Sequence, residues 1–388
     1  MSDAEVIQPG AAGAASPTVP AAVAQPKEID KLFTAAWKNN ASDIHIKVGE
    51  PPLFRVKGSL VRAKVPPLTY DQVKAMFAEI MSEKERKELA ELGGADFAYS
   101  VKGVGRFRVN IFKQRGSLSL AARAVKTEIP TMEQLNLPPG VKVIPTYESG
   151  LVLVAGVTGS GKSTSLAAIL QVINTTERVH IVTIENPIEY LYTDQLSIIN
   201  QREVGIDLPD FANGLRHVLR QDPDVILVGE MRDAETFESA LMSAETGHLV
   251  FGTIHSGSAA QTIGRVLDYF PVERHNQIRQ LLYFNLRAVM VQKLLKGLRP
   301  DIPRVPAIEL MLVNPLIKKL IYENEDKKIP EVIRASRQEG MQDFNQSLCD
   351  LVKRGLVAEQ TALEASPNAE QLAMNLKGIQ FSAGSISG

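Results

Sequence analysis

The run Gly156-Val157-Thr158-Gly159-Ser160-Gly161-Lys162-Ser163 leaves the chain around it few folds to adopt. It fits the phosphate-loop pattern GxxxxGK[ST] at every fixed position. Leu151 to Ala155, just before it, is a short apolar run of the kind that forms a buried parallel strand, and Thr164 to Leu170, just after it, reads as helix. Strand, loop and helix in that order are the context the pattern needs. The glycines let backbone N–H groups close around phosphate oxygens, and the helix start adds a favourable dipole. The candidate nucleotide-binding residues are therefore Gly156, Thr158, Gly159, Ser160, Gly161, Lys162, Ser163 and Thr164. In that arrangement Lys162 reaches the β- and γ-phosphates of ATP, and Ser163 holds Mg²⁺.

The chain beyond the loop keeps to the same grammar. Apolar strands at Val179–Ile184, Val225–Val228 and Leu249–Ile254 alternate with helices across Phe211–Arg220 and Ala234–Ala244, which predicts a parallel sheet covered on both faces. Past Pro271 the sequence reads as mainly helical, with helices expected over Glu273–Lys296, Pro315–Glu323, Asp343–Arg354 and Glu359–Ala365. Before the loop the pattern differs. A helix starting near Glu28 carries Ile29, Leu32, Phe33 and Trp37 on one face, and a second is expected from Tyr70 to Leu92. Strands are expected at Asp43–Lys47, Leu53–Lys57, Ala95–Val101, Arg106–Phe112 and Ser117–Val125. Strands clustered around few helices predict an α+β domain with a mostly antiparallel sheet. The expected layout is a disordered tail over 1–27, an N-terminal domain over 28–145, a linker over 146–149, an α/β domain over 150–380 and a loose tail over 381–388.

A phosphate loop needs an acidic partner for water and metal. Asp222-Pro223-Asp224-Val225-Ile226-Leu227-Val228-Gly229-Glu230 supplies one, because its apolar strand delivers Glu230 at the C-terminal end, where open α/β sheets bind ligands. Glu230 would position or deprotonate water, or hold the metal through a water. A second acidic patch, Glu185-Asn186-Pro187-Ile188-Glu189, follows the Val179–Ile184 strand. His248 and His255 bracket the Leu249–Ile254 strand. His255, at the C-terminal end, is placed to sense a γ-phosphate or the metal's water, whereas His248 reads equally as structural or functional. Arg106 and Arg108, two apart and on one strand face, lie near Arg123. They are either a solvated charged face or arginines that reach a nucleotide held by a neighbouring subunit.

Composition narrows the class. Lys and Arg number 43 and Asp and Glu 44, a balance that argues against a general nucleic-acid binder. Cys349 is the only cysteine, so neither an intrachain disulfide nor a multi-cysteine zinc site can be built. No apolar run approaches the roughly 20 residues of a membrane-spanning helix, and the first residues lack the basic and apolar regions of a secretory signal, so the cytoplasm is expected.

Taken together, the chain resembles the secretion-type hexameric ATPases of the type IV pilus system, in the retraction (PilT/PilU) branch. The resemblance runs from about residue 28 to 380. It rests on the phosphate loop, Arg106-Phe107-Arg108-Val109-Asn110, the Ile184–Glu189 acidic box, Asn200-Gln201-Arg202-Glu203-Val204-Gly205, the Asp222–Asp233 block, the Thr246–His255 histidine box and Gly340-Met341-Gln342. It implies a PAS-like N-terminal domain joined to a RecA-like P-loop ATPase domain with a helical C-terminal end. It also implies a homo-hexamer with nucleotide between the two domains and arginines supplied across interfaces. The implied activity is ATP hydrolysis that pulls pilin subunits from the pilus, at the inner face of the inner membrane, with an inner-membrane platform protein as partner. Glu230 matches the second acidic motif, Glu185 and Glu189 the acidic box, and His248 and His255 the histidine box. Asn186 stands where the family usually has aspartate. Pro315 to Glu323 matches the family's retraction motif (Ala-Ile-Arg-Asn-Leu-Ile-Arg-Glu) only loosely. These two departures favour an alternative, an accessory PilU-like ATPase acting on a paralogous retraction motor. The absent four-cysteine zinc module of extension and secretion relatives favours retraction in either case.

Overall fold

The structure is a computed structural model that describes residues 27–378. The expected C-terminal tail and nearly all of the N-terminal one lie outside the described residues. The chain divides into two compact units, one ending at Ala124 and one starting at Val125.

The first unit runs α1 (Glu28–Lys38), β1 (Ala41–Lys47), β2 (Leu53–Val56), β3 (Ser59–Arg62), α2 (Tyr70–Ile80), α3 (Glu83–Leu92), β4 (Gly94–Val101), β5 (Gly105–Gln114) and β6 (Ser117–Ala124). Its sheet has the order β3-β2-β1-β6-β5-β4, antiparallel throughout. In β5, Phe107, Val109 and Ile111 are buried while the residues between them are half-exposed, the alternation of a sheet with one covered face. Ile29, Phe33 and Ala36 of α1 point into that core, with the Phe33 ring 4.5 Å from Phe107. The single helix expected over Tyr70–Leu92 is two helices. Met81 turns extended, and Ser82 starts α3 with its own capping box, its N–H donating to Glu85 Oε2 at 2.7 Å. A Ser-x-x-Glu step inside a helical pattern was the available signal.

The second unit begins earlier than the expected 145–149 boundary. A 3-10 turn at Pro139–Thr146 puts Val141 and Ile144, both fully buried, against Val152, Leu166 and Ile169. Apolar anchors, rather than the prolines around them, decide which unit this stretch joins. The unit continues with β7 (Gly150–Ala155), α4 (Lys162–Thr176), β8 (His180–Glu185), β9 (Ile198–Glu203), α5 (Phe211–Val218), β10 (Val225–Val228), α6 (Ala234–Glu245), β11 (Leu249–Ile254), α7 (Ala259–Leu267) and α8 (His275–Asn285). There follow β12 (Leu286–Arg299), β13 (Ile302–Leu312), α9 (Pro315–Tyr322), α10 (Ile329–Ala335), α11 (Phe344–Lys353), α12 (Glu359–Ala365) and α13 (Ala369–Leu376).

The seven-stranded sheet has the order β13-β12-β7-β11-β10-β8-β9, parallel except for β13. Every residue of β7, β10 and β11 is buried, as helices on both faces demand. The helix expected over Glu273–Lys296 ends at Asn285, and Leu286–Arg299 is a strand paired with β7. Leu, Ala, Met, Gln and Lys favour helix locally, but burial beside the central strand overrides that preference. Pro303 and Pro306 fit in β13 because it is an edge strand. The expected fold class holds: an α+β antiparallel-sheet domain, then a parallel-sheet ATPase-type domain with a helical C-terminal end.

Candidate active site

A cavity of about 460 Å³ opens in the second unit at the C-terminal ends of β7, β8, β10 and β11. The phosphate loop, between β7 and α4, forms one wall. Gly156 and Gly161 have φ of +144° and +89°, conformations that disfavour any side chain. Lys162, first residue of α4, donates from Nζ to the loop's own carbonyls, Gly156 O at 2.8 Å and Val157 O at 3.2 Å. Burial lowers its pKa, and the Glu230 and Glu189 carboxylates oppose that shift across the cavity. The Ser160 Oγ is buried without a hydrogen-bond partner. Thr164 Oγ1 lies 3.0 Å from the hydroxyl of Tyr190, over whose ring Lys126 sits.

The opposite wall is acidic. Glu230 follows β10, and its Oε1 lies 2.9 Å from His255 Nε2 at the end of β11. Arg232 donates from Nη2 to Glu230 Oε2 at 2.6 Å. Burial alone would raise the Glu230 carboxyl, but the Arg232 and His255 contacts outweigh it and hold the pKa below the usual range. Glu185, last residue of β8, behaves in the opposite way. It is buried, its Oε1 accepts from Thr183 Oγ1 at 2.7 Å and Gln201 Nε2 at 3.1 Å, and burial keeps its pKa raised despite both bonds. Glu189 and Asn186 line the same cavity. Thr253 Oγ1 donates to Gly229 O at 2.5 Å and ties the ends of β10 and β11 together.

The fold thus gathers the phosphate loop and Glu185, Glu189, Glu230 and His255, which follow Lys162 by 23 to 93 residues, around one cavity. His248 is not among the residues that line this cavity. It sits at the other end of β11, with Nδ1 2.9 Å from Ser243 O and 3.1 Å from Thr246 Oγ1, where it closes the end of α6. Arg106, Arg108 and Arg123 belong to the first unit. Arg108 and Arg123 are paired in register on β5 and β6, and Arg123 faces Asp43 on β1 with a 2.8 Å bond. Arg55 of β2 adds a 3.5 Å contact to the same carboxylate, so Arg123 belongs to a cross-strand ion-pair row. Sequence reasoning missed Arg232, Gln201, Tyr190 and Gln292. Arg232 stood two residues after Glu230 and was findable. Gln292 was not, because its segment read as helix.

The residues present suit a nucleoside triphosphate with Mg²⁺. An unpartnered buried hydroxyl, a cationic side chain resting on replaceable carbonyl acceptors and a facing ionised carboxylate form one wall-to-wall set. A family model described as type II/IV secretion system protein matches residues 22–304. The chain is 44% identical over 337 residues to the type IV pilus retractation ATPase PilT of Pseudomonas aeruginosa, covering 87% of this chain and 97% of that protein. It is 38% identical over 351 residues to the type IV pilus ATPase PilU of the same organism, covering 90% and 91%. A crystal structure of the pilus retraction motor PilT with bound ADP is similar with a TM-score of 0.81 at 45% identity, over 89% of this chain and 98% of that one.

Proposed function

This chain belongs to the type II/IV secretion system protein family, and from that premise we propose that it is an ATP-hydrolysing motor for type IV pilus retraction. The observation that carries the reading is Lys162 facing the ionised Glu230 across one cavity at the C-terminal edge of a parallel sheet. The relatives' retraction role and the ADP bound by a similar structure support it.

Lys162 would exchange the Gly156 and Val157 carbonyls for β- and γ-phosphate oxygens, a trade of acceptors that keeps the ammonium partnered. The N–H groups of Gly159 and Gly161 and the start of α4 would receive the phosphates, with Gly156, Thr158, Ser160 and Thr164 shaping the loop. Ser163, and Glu230 through water, would hold Mg²⁺, which when bound would supply positive charge to the phosphates. Glu230, ionised at neutral pH, would orient the attacking water and take its proton as the phosphoryl group leaves. His255 shares a Glu230 oxygen, so loss of the γ-phosphate would be felt at their bond. Glu185 and Glu189 would complete the acidic wall.

In this reading the working form is a homo-hexamer at the cytoplasmic face of the inner membrane, engaging a platform protein. The PAS-like unit would present Arg106 and Arg108, with Arg123 beside them, to a neighbouring subunit's nucleotide. Among the described residues no helix is long and apolar enough to cross a membrane, so the proposal places the motor on the membrane through a partner. The test is phosphate release by the purified protein together with pilus retraction in cells. Unchanged turnover in both Lys162→Ala and Glu230→Gln would overturn it. One observation favours a second reading, an accessory role beside a paralogous motor: Asn186 lies among the cavity's carboxylates. Full rescue of retraction in a deletion strain by Glu230→Gln would select that role.

A further inference from the structure

Gln292 of β12 is 2% exposed, and both ends of its amide are engaged at the phosphate loop. Its Nε2 donates to Ser160 O at 2.7 Å, and its Oε1 accepts from Ser165 Oγ at 2.8 Å. A carbonyl oxygen can only accept, so the nitrogen end must face Ser160 and the orientation of the amide is fixed. Ser160 C=O and Gly161 N–H belong to one planar trans peptide and point in opposite directions. Anchoring the oxygen on β12 therefore turns the Gly161 N–H away from β12, toward the cavity that Gly161 lines.

The approach is close enough to shape the loop's composition. A Cβ on Gly161 would stand 2.7 Å from Gln292 Nε2, and one on Gly156 would stand 2.5 Å from Gln292 O. Both glycines are thus required by the neighbouring strand as well as by their own φ angles. Ser165, one turn into α4, holds the far end of the amide and ties the helix to the same strand.

We propose that Gln292 is a positioning residue for phosphate binding: it sets the Ser160–Gly161 peptide plane so that the loop's N–H groups face the anion before the nucleotide arrives. The inference rests on the phosphate-binding reading of the loop. It places part of the site's preorganisation on a strand distant in sequence, where no local motif marks it.

The test uses the full chain as wild type, Gln292→Met, Gln292→Glu, Ser165→Ala and Lys162→Ala. MgADP affinity is measured by calorimetry, MgATP turnover by phosphate release, and melting temperature without nucleotide. Gln292→Met is expected to raise the MgADP Kd and the ATP KM about tenfold, with kcat changed less than about threefold. Gln292→Glu keeps the shape but turns an oxygen toward the Ser160 carbonyl, and is expected to exceed it. Ser165→Ala, which frees only the far end of the amide, is expected to raise both values about threefold. A lowered melting temperature with unchanged Kd and KM would overturn the proposal, since a packing residue would behave that way. Should the Gln292 variants fail to fold, Ser165→Ala decides: wild-type Kd and KM there also overturn it. Absence of MgADP binding by the wild type would overturn the phosphate-binding reading and this inference with it. Binding lost in Lys162→Ala but intact in Gln292→Met and Ser165→Ala would overturn this inference alone.

Discussion

The phosphate loop and the Glu230 wall end the same sheet and are held by opposite means. The loop is a main-chain structure. Its peptides are fixed by glycine conformations, by Gln292 from β12 and by the Ser165 N–H donating to Gly161 O. The Glu230 wall is a side-chain structure. Glu230, Arg232 and His255 meet through charge-assisted contacts, and the Arg232 side chain is 72% exposed. A dipole array aimed at a multiply charged anion works best when it cannot relax, so burial and backbone suit it. A group that must hold water and pass protons has to stay ionised and exchange partners, so solvent access suits it. Glu185 shows what the same chemistry becomes when buried: its pKa moves up where that of Glu230 moves down.

Four substitutions break or sharpen this contrast. The largest effect is expected for Lys162→Ala, which removes the one cation of the loop and should lower ATP turnover by about 10³-fold, read as phosphate release. Glu230→Gln should follow, lowering kcat by about 10²-fold while MgADP affinity stays near wild type, because the loop half is intact. If affinity fell as far as kcat, the two walls would not be separable. Arg232→Ala should cost only a few-fold at pH 8 and act through pH instead. Arg232 helps hold the Glu230 pKa low, so its loss should move the acid limb of kcat/KM to higher pH. The sign carries over to stability. The lowered pKa of Glu230 contributes stability above its unfolded value, lost as pH falls through the folded one, and Arg232→Ala should retain less of it.

The smallest effect on turnover, under about twofold, is expected for Glu309→Gln behind the wall. Glu309 accepts the Ala259 N–H at 2.6 Å where α7 begins, four residues after His255, and burial pushes its carboxyl up to about 7. The folded state therefore holds a proton that the unfolded chain releases from about pH 4.3 upward, so stability falls as pH rises from there through 7. Melting curves at pH 5 and pH 8 should show a decline in the wild type that Glu309→Gln reduces by a few degrees. An equal decline in both would remove Glu309 from the account.

The parts of the site that were legible in the sequence are those whose function needs consecutive residues. A loop that wraps a phosphate must be written as one run, and a strand that ends in a carboxylate must be written as apolar residues followed by that carboxylate. Glu230, Glu185 and His255 were readable for this reason. Gln292 and Tyr190 were not, since each reaches the loop across the sheet from a segment whose own pattern says nothing of the contact. The Leu286–Arg299 segment shows the same limit in the fold. Its residues suit a helix, and only the open edge of β7 makes it a strand. His248 matched a motif position beside His255, yet its surroundings make it a helix-end contact.

What the sequence by itself determined was the phosphate loop with its strand and helix, the alternation that makes a parallel sheet, and the acidic groups at strand ends. Each follows from local geometry, where residue spacing fixes which face and which end a side chain occupies. What only the tertiary structure decided was the order of strands around β7, the amide that orients the loop, and the ionisation of each carboxylate. Those depend on burial and on partners the fold brings in, His255 from 25 residues beyond Glu230 and Gln292 from 127 residues beyond Ser165, and a low-dielectric neighbourhood of that kind exists only once the sheet is assembled.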